Sequence, residues 1–67
     1  MDNYIPKWAN KKTGKLYVIF DVCIDKTSER DGLPVIIYRS VDVGSPLFVR
    51  EKKEFLQKFE GRPYETM

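Results

Sequence analysis

The sequence predicts a mainly β domain: a small, strongly bent antiparallel sheet with one short helix near its C-terminus. Three observations predict it. Leu16 to Asp25 alternates with the period-2 pattern of a strand that buries one face. Pro34 to Arg50 reads as two short strands joined through Gly44-Ser45-Pro46, each ending its apolar run in an arginine, Arg39 and Arg50. Only after Glu51 does the apolar spacing change to that of a helix. The 67 residues make one domain, 1–67, near the lower size at which a single apolar core holds a fold. Nearly all apolar strand positions are therefore expected in the core, and self-association is an expected further support.

Residues 1–13 form a lead-in and first hairpin arm. Pro6 restricts Ile5 to extended backbone, and a short strand is expected over Lys7–Lys12. Asn10 to Lys15 is a turn, with Gly14 supplying positive φ. In the long strand, Leu16, Val18, Phe20, Val22 and Ile24 share one parity and are expected to point inward. The other parity runs from Tyr17 and Ile19 to the more polar Asp21, Cys23 and Asp25. Its β-branched residues disfavour a helix, and its ten-residue length predicts a bend.

Lys26 to Gly32 is a polar loop whose Asp31-Gly32 pair signals a turn between antiparallel neighbours. Val35 to Ser40 is apolar at nearly every position before Arg39, which predicts a central strand covered on both faces. Leu47 to Arg50 is the third strand of the meander. From Glu51 to Glu60, Phe55, Leu56 and Phe59 mark one helix face, Glu54 and Lys58 stand at i, i+4, and Gly61 with Pro63 reads as the stop. The tail, 61–67, is expected to add an edge strand from Arg62 to Met67. Strands in this order, with a late helix over one open end, give a bent sheet or an SH3-like barrel.

The residues Gly14-Lys15-Leu16-Tyr17-Val18, Val35-Ile36-Ile37-Tyr38-Arg39, Gly44, Leu47-Phe48-Val49-Arg50 and Phe55 resemble the small bacterial and phage domain of unknown function 1653. The similarity runs from about Gly14 to Phe59, and its most specific part is the spacing of Tyr-Arg, Gly and Phe-Val-Arg. The chain departs from that pattern at Phe48, where the family has Trp, and at Glu51, where it has Pro. Asp25-Lys26-Thr27 stands where the family carries a histidine, so no role resting on that histidine carries over. The resemblance implies a bacterial or phage origin and assigns no activity.

Composition narrows the chemistry. Histidine is absent, which removes the commonest general base and metal ligand. The lone Cys23 permits neither an internal disulfide nor a cysteine-based metal site. No Gly-rich phosphate loop occurs, and Asp21 and Asp25 read as solvated carboxylates. No catalytic residue, metal or cofactor is expected, and the chain is expected not to be an enzyme. No apolar run approaches the roughly 20 residues of a membrane span, and Met1 to Pro6 lacks a signal-peptide core; a cytoplasmic location is expected.

Net charge is only +2, but it is unevenly spread. Residues 1–15 sum to +3, 21–31 to −2 and 50–62 to +2. Such a distribution reads as a mixed solvated surface or as a dipolar one able to steer a partner.

One constellation points to binding. Trp8, Tyr17, Tyr38 and Phe48 with Arg39 and Arg50 combine aromatic platforms with guanidiniums, the residue types that anchor protein partners and that stack bases while pairing with phosphates. The same residues also have a structural reading: Tyr38 and Phe48 in the core, Arg39 and Arg50 paired with Asp21, Asp42 or Glu51. The expectation is a small binding module, a phage or bacterial accessory protein, engaging a protein through an aromatic–arginine face. The alternative is a homo-oligomer that captures a nucleotide-type ligand or nucleic acid.

Overall fold

The computed structural model describes residues 5–62. Its elements in chain order are β1 (Lys7–Asn10), β2 (Leu16–Asp25), a 3-10 turn (Ser28–Arg30), β3 (Leu33–Ser40), β4 (Phe48–Glu51), α1 (Lys52–Lys58) and β5 (Phe59–Arg62). The strands form one antiparallel sheet in the order β4-β3-β2-β1-β5. That order, with the helix between β4 and β5, is consistent with an SH3-like plan. However, β4 and β5 do not pair, so the sheet stays open and no barrel is closed.

Turn chemistry fixes the hairpins. Asn10 Oδ1 accepts the backbone N–H groups of Lys12 (2.8 Å) and Thr13 (3.1 Å), and Gly14 at φ +78° brings the chain back into β2. At the other end of β2, Asp25 Oδ1 accepts the Thr27 N–H at 2.8 Å. Gly32, at φ +94°, donates its N–H to the Asp25 carbonyl at 2.9 Å.

The helix explains the curvature. Seven residues rise about 10 Å, whereas five flat strands would set their outer edges about 19 Å apart. Because α1 joins those two edges with no intervening loop, the sheet curls and α1 packs on β3, β4 and β5. Phe55, fully buried, and Phe59, one turn later, stack at 4.3 Å between ring centroids. They meet Tyr38 edge-on at 5.0 and 5.4 Å, and Ile36 completes the buried cluster. Trp8, Tyr17 and Ile19 pack around it. Each such ring pair adds about 0.5–1.5 kcal/mol beyond its buried area, a large share for so small a core.

The inward parity of β2 is corrected. Residues opposite one another in an antiparallel ladder share a face. Trp8 lies opposite Tyr17, and Ile19 opposite the buried Tyr38, so the odd residues face the helix in the first half of β2. Phe20 is the extra residue of a bulge, since Ile19 pairs with Tyr38 and Asp21 with Ile37. Beyond it the parity switches, and Val22 and Ile24 lie on the helix side opposite Ile36 and Pro34. Leu16 and Val18 therefore point away from the helix, and Phe20, Val22 and Ile24 are exposed.

Three further expectations shift. The central strand is β2; β3 lies second from an edge, although Val35, Ile36 and Tyr38 are buried. The helix stops at Lys58 rather than running to Glu60, because Phe59 is already extended (φ −126°, ψ 151°) to place its ring in the core. Gly61 thus sits within β5 opposite Trp8 instead of ending the helix. Of the expected tail strand, Arg62 belongs to β5, and residues 63–67 lie outside the described residues.

Candidate binding surfaces

The six aromatic and arginine residues do not form a single exposed face. Tyr38 is 4 % exposed and belongs to the core; Trp8 and Tyr17 are half-buried against that core. Phe48 lies opposite Tyr38 on the helix side and is 40 % exposed. Arg50 is on the same face, opposite Ile36, and is held from three directions. Its Nε donates to Tyr38 Oη at 3.1 Å, a terminal nitrogen donates to Glu54 Oε2 at 2.6 Å, and its guanidinium carbon stands 5.8 Å from the Phe59 ring centroid. The Tyr38 hydroxyl foremost, then Glu54, raises the guanidinium pKa above its ordinary value against the opposing effect of burial. The expected partners Asp21, Asp42 and Glu51 are thus replaced by Glu54. Arg39 lies opposite Val18 on the other face of the sheet, exposed and without an ion pair among the described residues.

The loop carboxylates serve the turn. Asp25 accepts from Thr27 and stands 4.0 Å from Arg30, and Asp21 Oδ1 accepts the Val22 N–H at 2.8 Å. The Thr27 N–H and hydroxyl, then Arg30, hold the Asp25 carboxyl below its ordinary pKa. Lys26 pairs with Asp31 at 2.8 Å. Among the described residues, no three His, Cys, Asp or Glu side chains gather as metal ligands, and no helix is long and apolar enough to cross a membrane.

Two surfaces escape a reading of the sequence alone. The outer half of β2 carries Phe20, Val22 and Ile24 at 65, 52 and 56 % exposure, beside the acidic loop. The bulge hides this, because simple alternation puts all three inside. At the opposite end of β2, Asn10, Lys11, Lys12, Gln57 and Lys58 line a shallow cavity of about 260 Å³. The Lys11-Lys12 pair is visible in sequence, but Lys58 joins it only through the Lys11 N–H···O=C Lys58 bond at 2.9 Å. No family model, no curated protein and no solved structure matches this chain.

Proposed function

We propose that this chain is a small non-catalytic binding module that engages a protein partner through the outer half of β2. The observation that carries the reading is the exposure of Phe20, Val22 and Ile24 together along one half of a single strand. Asp21, Asp25, Glu29 and Asp31 against Lys26 and Arg30 leave this end net negative, which disfavours nucleic acid or an anionic bilayer as its occupant. Of the aromatic–arginine set, Phe48 is accessible on the helix side, with the Arg50 guanidinium on the same face, while Arg39 is exposed on the other face of the sheet. In this reading the resemblance to domain of unknown function 1653 supports a bacterial or phage accessory protein, and the lack of a long apolar run in the sequence supports a cytoplasmic place for it.

The test is affinity capture from bacterial lysate with the wild-type chain and a Val22→Ser/Ile24→Ser variant, read by quantitative mass spectrometry. A protein captured by the first and lost by the second, with the variant's far-ultraviolet circular dichroism unchanged, supports the reading. Identical capture by both contradicts it. A second reading is favoured by the same exposed residues: a second copy of the chain covers them. It predicts a dimer mass by light scattering that reverts to one chain in the variant.

A further inference from the structure

We propose that the cleft formed by the β1–β2 turn and the end of α1 binds the phosphate backbone of single-stranded nucleic acid. Lys11, Lys12 and Lys58 line it together with the amides of Asn10 and Gln57, and Lys15 closes the same turn. None of the four lysines forms an ion pair among the described residues. The fold makes this so by taking the adjacent carboxylates away. Glu54, spaced to pair with Lys58 along the helix, is held by Arg50 at 2.6 Å, and Glu60 is held by Arg62 at 3.1 Å. Asn10 Oδ1 is already occupied by two backbone N–H groups, which leaves its NH₂ group as a donor at the cleft.

Shape and lining select the ligand. The open cavity of about 260 Å³ takes one phosphate with its sugar, and a flexible single strand can bend to lay the neighbouring phosphates against the surrounding lysines, which a stiff duplex cannot. The lining offers no apolar side chain to insert into a bilayer and no aromatic ring to stack a base, so contact is to the backbone and independent of sequence. The acidic loop lies at the far end of β2, about 30 Å along the strand at 3.3 Å per residue. The resulting dipole orients an approaching polyanion toward the lysines.

Fluorescence anisotropy with a labelled mixed-sequence single-stranded oligonucleotide tests this. Affinity is expected to fall roughly 20-fold between about 50 and 200 mM salt, the response of about three neutralised phosphates, one in the cleft and its neighbours along the strand beside the lysines at the rim. Lys11→Glu/Lys12→Glu is expected to lose at least about tenfold in affinity, while Lys52→Glu/Lys53→Glu, which changes net charge equally outside the cleft, is expected to lose far less. Absence of binding at low salt, equal loss in both variants, or equal binding of a duplex or of polyglutamate would overturn the proposal. Val22→Ser/Ile24→Ser is expected to keep oligonucleotide binding, so failure of this inference and failure of the protein-binding reading are separable.

Discussion

Phe55 has no exposed surface and touches Trp8, Tyr38 and Phe59, so its ring holds the helix to the sheet. Phe55→Ala is expected to cost about 3–5 kcal/mol, enough to unfold most of so small a domain, as urea denaturation followed by circular dichroism will show. The two arginines of the sequence motif separate in the same assay. Arg50→Ala removes the donor to the Tyr38 hydroxyl and is expected to cost about 1–2 kcal/mol, whereas Arg39→Ala, at an exposed side chain with no ion pair among the described residues, is expected to stay within about 0.5 kcal/mol. Equal effects would mean that Arg50 is not the structural member. Asp25 supplies a pH signature. Its folded pKa lies below its unfolded value of about 3.9, so it stabilises the fold above that value and the stabilisation is lost as pH falls through the lower, folded one. The melting-temperature gap between wild type and Asp25→Asn is expected to be full near neutrality and to close below about pH 4.

At the scale of elements, the bulge at Phe20 separates what was legible in the sequence from what was not. The strands, the Gly14 and Gly32 turns, the late helix and the antiparallel meander were readable because hydrophobic period and turn chemistry are local. The facing of β2 was not. Leu16 and Val18 are as apolar as Tyr17 and Ile19, so alternation alone leaves the buried parity open, and an inserted residue reverses it midway. The helix end was misread for a related reason: Gly61 carries a stop signal, but burial of Phe59 in the core overrides it. A bulge adds bend and twist to its strand, which suits β2 to a sheet whose two edges α1 bridges. Deleting Phe20 keeps the faces on both sides of the bulge but flattens the strand. It is expected to destabilise the domain by about 1–3 kcal/mol, against no more than about 0.5 kcal/mol for Phe20→Ala, which removes only an exposed ring. Equal urea midpoints for the two variants would show that the bulge does not support the bridge.

Across the whole molecule, β2 is a spine with different chemistry at each end: apolar and acidic beyond the bulge, basic at the first turn. The candidate site was legible only in part. Aromatic and arginine residues marked the right strands, but Tyr38 and Arg50 proved to be the structure beneath the surface, and Arg39 lies on its other side. Contacts distant in sequence made that difference: Tyr38 with Phe55, and Arg50 with both Tyr38 and Glu54. The account depends on Val22 and Ile24 sharing the helix-side face while lying beyond the helix's cover, in solvent. Methyl NMR of the dilute chain with a soluble paramagnetic agent measures this directly. Strong broadening of the Val22 and Ile24 methyl signals, with those of Ile36 protected, is the predicted result; protection of all three would contradict the account.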